Sequence, residues 1–307
     1  MGSPASERMR GEDEAQHSVT VDDFYCDAFE VRQSDYEKLM GENPSYNKGA
    51  NLPVENVSFY DALEYCNKKS LAEGLSAVYK IGGKNEKSSI SFPDVSVDLA
   101  ADGYRLLTEA EWEYACRAET TTIFSTGNWN NPKDANYEGS YPYLIEENYV
   151  RRTNPNVQPG LNRGKTIAVD SLSPNAFGLY NMHGNVGEWV FDYYGRYDEA
   201  ASASDMNGKS VLNPLGSASG VYRVNRGGGF NDFGKHLRSA YRSASNPLTK
   251  DRNLGFRIAR NAGKRNGVFE TKYDEKVASI SIPKNPRVLV AYFSYSGNTE
   301  SAAESTM

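Results

Sequence analysis

The sequence predicts an α+β protein with little regular secondary structure. Its 307 residues, 38% hydrophobic and 24% charged, are a mixture that can form a packed core. The 21 tyrosines and 27 glycines, together with few helical stretches, are typical of a loop-rich protein that contains β-structure. Residues 118–170 show almost no periodicity, so this long segment has to be held by side-chain hydrogen bonds, aromatic contacts or ions.

The first 40 residues predict two extended segments and a helix. Residues 18–21 alternate between polar and apolar side chains, which indicates a half-buried strand. Residues 25–31 have the composition of a second extended segment. Ser34 is a residue type that caps helices, and we therefore expect a helix over residues 34–40.

Two further helices are predicted from capping boxes, in which a capping Ser or Thr is followed three residues later by an acidic residue. Ser58 and Asp61 form one such pair, before an apolar stripe that continues to Cys66. Thr108 and Glu111 form the other, at the start of a helix over residues 109–117. We interpret the acidic residues of this helix as structural rather than catalytic, because negative charge suits a helix N-terminus: Glu109, Glu111 and Glu113.

Two segments are interpreted as peripheral. Residues 82–102 combine a polar stretch with an alternating segment over 90–97, which indicates a surface insertion. Residues 263–286 are polar and mixed, so they predict a linker, with a short alternating strand at 278–282.

Composition excludes several classes of function. The net charge of −6 and the pI of about 5.3 argue against a nucleic-acid-binding surface. No run approaches the apolar length of a membrane-spanning helix. The three cysteines are too far apart in sequence to indicate a disulfide framework. The three histidines show no spacing typical of a zinc or iron site. These residues are Cys26, Cys66, Cys116, His17, His183 and His236.

Several ordered motifs resemble the formylglycine-generating enzyme, or sulfatase-modifying factor, family over residues 1–262. The longest is NAFGLYNMHGNVGEW at residues 175–189, and the others cover residues 53–66, 103–117, 226–228 and 255–257. The resemblance implies a C-type-lectin-like fold, with a small twisted antiparallel sheet, few helices and much irregular coil.

The resemblance also implies a copper site that this sequence lacks. Active members of the family use two cysteines, copper and O2 to oxidise a substrate cysteine to formylglycine, and soft thiolates suit Cu(I). Here Asp232 falls where the first cysteine is expected, and the second position lies within residues 234–237. No cysteine follows Cys116, so we predict no copper and no catalytic residue.

A structural calcium site is the metal site that the resemblance favours. Asn181 and Glu188 would supply side-chain oxygens, and Gly184 and Val186 would supply carbonyl oxygens, which suit Ca²⁺. The alternative is a loop held by ordinary hydrogen bonds. A second calcium site of the family would begin near residues 136–137, but its later half is replaced by an unfamiliar run through 161–164.

The segment that corresponds to the family's active site is then interpreted as a binding surface for a protein, peptide or small molecule. One hypothesis is a non-catalytic binding module. The alternative is an oxidoreductase, either of the formylglycine-generating type or as the redox partner of a fused flavodoxin domain. For Trp189 and Arg242 a core position is the alternative interpretation. The residues of the predicted surface are Trp189, Arg226, Phe230, Asp232, Phe233, His236 and Arg242.

Residues 287–307 resemble the first strand and phosphate loop of flavodoxins. An apolar run over 288–293 leads into a small-residue loop that would hold the phosphate of FMN: Ser294, Ser296, Gly297, Asn298 and Thr299. FMN is expected only if a complete flavodoxin-like domain is present. Because both ends of the chain break within a motif, we expect it to be an excerpt of a longer protein. The first residues lack a basic and apolar leader, which favours the cytoplasm.

Overall fold

The computed structural model describes residues 1–84, 93–143, 160–197, 210–217, 219–263 and 268–271. These residues contain three α-helices, α1 (Gln33–Met40), α2 (Phe59–Ala72) and α3 (Glu109–Arg117), and a 3-10 helix (Gly234–Leu237). None of the helices in these ranges has the length and apolar character to cross a membrane. Their short strands are β1 (Val19–Thr20), β2 (Phe24–Cys26), β3 (Tyr79–Lys84), β4 (Pro93–Asp98), β5 (Tyr104–Arg105), β6 (Gly187–Tyr193), β7 (Val211–Leu212), β8 (Arg223–Arg226), β9 (Ser243–Ser245), β10 (Leu254–Gly255), β11 (Ala259–Asn261) and β12 (Val268–Thr271).

The two predicted capping boxes are confirmed. In α2, the Ser58 hydroxyl accepts the Asp61 N–H at 3.1 Å, and the Asp61 carboxylate accepts the Ser58 N–H at 2.8 Å. Thr108 and Glu111 make the same reciprocal pair at the start of α3. Helix α1 differs from the prediction, because it begins one residue before Ser34 and has no side-chain cap.

The central sheet has the strand order β10-β6-β8-β9 and carries the segments that flank the predicted site. Strand β6 is buried along its whole length, runs parallel to β10 and pairs antiparallel with β8. A second sheet, β2-β11-β5, joins the beginning and the end of the family-like region, because β11 pairs antiparallel with both neighbours. The predicted strand over 18–21 is observed as the short β1, whereas the extended segment predicted over 25–31 forms a strand, β2, only as far as Cys26.

Residues 93–102, a described part of the segment predicted to be a surface insertion, contribute to the core. Strand β4 lies in the middle of a three-stranded sheet of order β12-β4-β3. Its alternation directs Val95 and Val97 into the main hydrophobic cluster and leaves Asp94 exposed. The predicted linker is corrected in part as well, since β12 pairs with β4. The strand expected at 278–282 and the flavodoxin-like segment 287–307 lie outside the described residues.

The long coil that follows α3 is held as the sequence analysis expected. Residues 118–143 and 160–170 contain no helix or strand. They surround a small aromatic cluster that includes Phe124, Tyr137 and Tyr143. The next loop packs tightly on this coil at Gly184, where φ is +109° and a Cβ would lie 2.4 Å from the Asn136 carbonyl oxygen. A glycine is therefore required there.

Candidate functional site

Asp232 closes the loop on which the family's first cysteine is expected. One oxygen, Oδ2, accepts the Gly229 N–H at 2.8 Å and the Asn253 side-chain N–H at 2.7 Å. The other oxygen lies 3.5 Å from Nδ1 of His236. Because Oδ2 is committed to fixing the loop, Asp232 is a structural residue that orders the segment around it.

Beside this loop, four aromatic side chains form a continuous row, here called the aromatic row: Tyr141, Phe233, His236 and Tyr241. Successive ring centroids are 4.4, 6.0 and 4.8 Å apart. Tyr141, at one end, is 46% exposed, and the other three are partly buried. The sequence analysis found Phe233 and His236 but missed the two tyrosines. Tyr141 reaches Phe233 only through the tertiary fold, and the general abundance of tyrosine was the sole signal for it.

Arg252 presents an exposed guanidinium next to the rings of Tyr46 and Phe230. Its guanidinium carbon lies 5.7 Å from the Tyr46 ring centroid and 5.9 Å from that of Phe230. The next residue is fixed, because the Asn253 side-chain oxygen accepts the Asn231 N–H at 3.1 Å. Among the ion pairs and hydrogen bonds of the described ranges, none includes the Arg252 side chain.

Four residues of the predicted surface are buried and are corrected to interior positions. Trp189 is 1% exposed, donates its indole N–H to the Val57 carbonyl at 3.0 Å and packs edge-on against Phe59. Its alternative interpretation as a core residue therefore holds, and the same is true of Arg242. Phe230 is 1% exposed and lies below the loop.

The two buried arginines of that set are held by the acidic residues of α3. Arg242 makes a bidentate pair with Glu109, with N–O distances of 2.7 and 2.9 Å. Arg226 pairs with Glu113 and also donates to the backbone carbonyls of residues 239–241. Pairing with a carboxylate is what makes a buried guanidinium tolerable, although Nε of Arg226 has no hydrogen-bond partner among the described residues. These ion pairs give Glu109 and Glu113 a structural role, with partners that the sequence did not indicate.

The loop predicted to bind calcium, residues 181–188, contains both committed and unpartnered oxygens. Glu188 accepts two N–H groups of Arg257 and the indole N–H of Trp112, all at 2.7 Å. Since an ionised carboxylate offers about four lone pairs, one remains on Oε1. Asn181 donates its amide N–H to Glu30 and to the Val169 carbonyl, while its buried side-chain oxygen has no partner.

Glu30 is a member of this network that the sequence analysis missed. It is 1% exposed, and its Oε2 accepts side-chain N–H groups of Asn181 and Asn185 at 2.8 and 3.2 Å. Its Oε1 is buried without a partner. Burial, and then the neighbouring Glu188 carboxylate, raise the pKa of Glu30 to about 8. Unpartnered carboxylate and amide oxygens fit a hard cation such as calcium.

The cysteines have the inert, buried positions expected of them. All three are free and buried. Cys116 packs 3.7–3.8 Å from the ring nitrogens of His183, but those nitrogens are engaged by the Leu237 carbonyl and by Ser125. Burial raises the pKa of Cys116 to about 12 and lowers that of His183 to about 4. The pair is therefore not an activated nucleophile.

Comparison with known proteins identifies the family. Residues 1–262 match the model of the sulfatase-modifying factor enzyme 1-like domain. The chain belongs to the sulfatase-modifying factor family. The predicted family boundaries are thereby confirmed, and so is a C-type-lectin-like fold with few helices, small sheets and much coil.

Two relatives illustrate the breadth of this family. The formylglycine-generating enzyme of Mus musculus is 31% identical over 280 residues, which cover 82% of this chain and 69% of that protein. The chaperone protein LppX of Paenibacillus barcinonensis is 36% identical over 189 residues, which cover 58% of this chain and 65% of LppX. The chain thus spans about two thirds of the length of these relatives.

Solved structures give the same fold. Treponema denticola variable protein 1 superposes with a TM-score of 0.66 at 26% identity, over 85% of this chain and 92% of that one. PvdO from Pseudomonas aeruginosa superposes with a TM-score of 0.57 at 23% identity, over 85% and 90% of the two chains, and supports the fold alone.

Proposed function

We propose that this protein is a non-catalytic binding module of the sulfatase-modifying factor family, and that its ligand is a polypeptide. The observation that carries the proposal is the position of Asp232. Where a copper-binding thiolate is expected, a carboxylate closes the loop through Gly229 and Asn253. The cysteine closest to this loop in sequence, Cys116, is buried, and burial raises its pKa.

The aromatic row and Arg252 are the proposed contact surface. Partly exposed rings offer a large contact area at a low entropic cost, and arginine and aromatic residues are enriched at the centres of protein interfaces. Asp232, Asn253 and the buried Arg226 fix the backbone that carries these side chains. The surface is therefore ordered before a ligand arrives, which reduces the cost of binding.

A polypeptide is favoured over other ligands by two observations. The relative LppX, 36% identical over 58% of this chain, is a chaperone protein by name. The Arg252 guanidinium contacts two aromatic rings but has no ion-pair or hydrogen-bond partner among the described residues, and a guanidinium in that state suits the carboxylates and carbonyls of a peptide.

The test is binding of a reduced and alkylated, permanently unfolded protein, measured by calorimetry. Tyr141→Ala should weaken binding by about 2 kcal/mol, as for an aromatic side chain that anchors a ligand. Tyr222→Ala is the matched control, because Tyr222 is 50% exposed, against 46% for Tyr141, and lies outside the row. Equal affinities of the two variants, or no binding by the wild type, would contradict the proposal.

An oxidoreductase of the formylglycine-generating type is the second candidate. It is favoured by the 31% identity with the mouse enzyme over 82% of this chain. Incubation with Cu(I), air and a Cys-x-Pro-x-Arg peptide distinguishes the two proposals. We expect the peptide mass to stay unchanged, because two thiolates are needed to hold Cu(I). Formation of the aldehyde would favour the enzyme.

We also propose that the 181–188 loop holds a structural calcium ion. Asn181 and Glu188 would bind it through side-chain oxygens, with the carbonyls of Gly184 and Val186. Support comes from the unpartnered Asn181 oxygen and from the free lone pair of Glu188. The ion would tie the loop together, so calcium should raise the Tm and a chelator should lower it. Melting curves that are the same with calcium and with a chelator would contradict the proposed calcium site.

The flavodoxin-like segment, residues 287–307, stays a prediction. We propose that it binds FMN only as part of a complete flavodoxin-like domain, because a phosphate loop alone has no walls for the flavin ring. Titration of this chain with FMN should leave the flavin fluorescence unquenched. Quenching at micromolar concentration would contradict this.

A further inference from the structure

We propose that Glu30 is a ligand of the cation on the 181–188 loop, through the oxygen that has no partner in the structure. This inference rests on the calcium proposal and adds to it a carboxylate from a different part of the chain. Glu30 lies between β2 and α1, 151 residues from Asn181, so a cation held by both would join the start of the fold to its central sheet.

The first support is that one oxygen of Glu30 is buried without a partner in the described part of the chain. The side chain is 1% exposed, and its hydrogen-bond donors, the amides of Asn181 and Asn185, both bind Oε2. Oε1 has no hydrogen-bond partner there. A buried carboxyl oxygen in that state is costly unless another ligand completes it.

Arg257 attracts the Glu30 carboxylate electrostatically but makes no hydrogen bond to it among those of the described residues. Arg257 gives two N–H groups to Glu188 and a third contact to the Tyr180 carbonyl, each at 2.7 Å. Its remaining nitrogen, Nη1, donates to the carbonyls of residues 27 and 28. Two buried carboxylates therefore face one arginine, and the local charge calls for an additional cation.

The second support is the neighbouring unpartnered oxygen. The side-chain oxygen of Asn181 is buried and accepts no hydrogen bond, while the nitrogen of the same amide donates to Glu30 at 2.8 Å. Glu30 and Asn181 thus each have one buried side-chain oxygen that accepts no hydrogen bond from the described residues. A cation accepts lone pairs from both at once, whereas a neighbouring carbonyl or carboxylate could not.

The donor types point to calcium. Carboxylate, amide and backbone carbonyl oxygens are hard ligands, and Ca²⁺ takes six to eight of them in flexible geometry. Zinc or copper would require histidine or cysteine. Within the ranges that the structure describes, no group of three or more His, Cys, Asp and Glu side chains could hold a metal. The expected ion is therefore one that accepts amides and carbonyls.

Glu30→Gln tests the inference, because it keeps the shape and the acceptor for Asn181 and Asn185 while removing the charge. Without calcium, the variant should melt at the wild-type temperature or above it, since a buried uncompensated carboxyl is gone. With calcium, it should lose most of the increase in Tm that the wild type shows. Glu55→Gln is the matched control, because Glu55 is also fully buried with an unpartnered oxygen but contacts residues 45–47 instead. It should keep the full calcium effect.

Terbium luminescence supplies a readout that does not depend on stability. The indole of Trp112 donates to Glu188 at 2.7 Å, so it can sensitise a lanthanide on this loop. We expect Glu30→Gln to weaken terbium binding about tenfold or more. If the wild type responds to calcium and terbium and Glu30→Gln responds equally, Glu30 is not a ligand, although the loop site stands. If the wild type responds to neither ion, both proposals fail.

Discussion

Arg226 and Glu113 form an ion pair that is closed to solvent. Nη2 of Arg226 lies 2.5 Å from Oε2 of Glu113, and both side chains are 0% exposed. The pair joins β8 to α3, and the same arginine holds the carbonyls of residues 239–241, where the aromatic row ends. Other buried ion pairs among the described residues include Arg105–Glu111, Arg226–Glu109, Arg238–Glu14, Arg242–Glu109 and Arg257–Glu188.

Arg226→Met should therefore lower the free energy of unfolding by about 3–5 kcal/mol, because it leaves Oε2 of the buried Glu113 and three backbone carbonyls without their arginine donor. The measurement is urea denaturation. Lys68→Met is the control, since Lys68 and Glu64 form an exposed pair whose loss should cost less than about 1 kcal/mol. If the two variants lose similar amounts of unfolding free energy, the buried pair contributes no more to stability than the exposed one.

Trp189→Ala tests the corrected position of Trp189. A buried tryptophan contributes packing and here also satisfies the Val57 carbonyl, so the expected loss is about 3–5 kcal/mol of unfolding free energy. Phe233→Ala, on the partly exposed aromatic row, should cost much less stability and reduce ligand binding instead. If Trp189→Ala reduces ligand binding and leaves stability nearly unchanged, Trp189 belongs to the binding surface instead.

Ser58→Ala should cost about 1 kcal/mol, because it removes the side-chain acceptor of the α2 capping box. Thr108→Ala should do the same in α3. Ser34 provides the comparison, since it is exposed within α1 and caps nothing. Ser34→Ala should leave the urea midpoint nearly unchanged or raise it slightly, because alanine favours helix.

Asp192→Asn should stabilise the protein increasingly as pH rises. Asp192 is 2% exposed, and burial followed by the Glu109 carboxylate raises its pKa well above the usual range. The folded state then binds the proton more tightly than the unfolded state, so the stability associated with protonated Asp192 is present at low pH and lost as pH rises.

Asparagine has no such proton to lose and can still accept the Glu109 N–H. The unfolding free energy of the variant minus that of the wild type should be small near pH 4 and larger at pH 8. Urea titrations at both values measure it, and a difference independent of pH would mean that Asp192 does not titrate as its burial requires.

Some features of the protein can be predicted from the sequence alone. Helices α2 and α3 were predicted because a capping box joins residues three apart, and the family was identified from motifs that are contiguous in the chain. The absence of a thiol near Asp232 is also a property of the sequence. These features depend on covalent neighbours, so no knowledge of the fold is needed to find them.

The tertiary structure decided which of the candidate residues face solvent and which pair inside. Trp189 and Arg242 lie in the interior because the fold brings Val57 and Glu109 to them from more than 130 positions away in the chain. Tyr141 and Glu30 join their sites in the same way, through contacts that no local pattern encodes. Burial also changes the chemistry, since desolvation makes each charge depend on a partner that only the folded chain supplies.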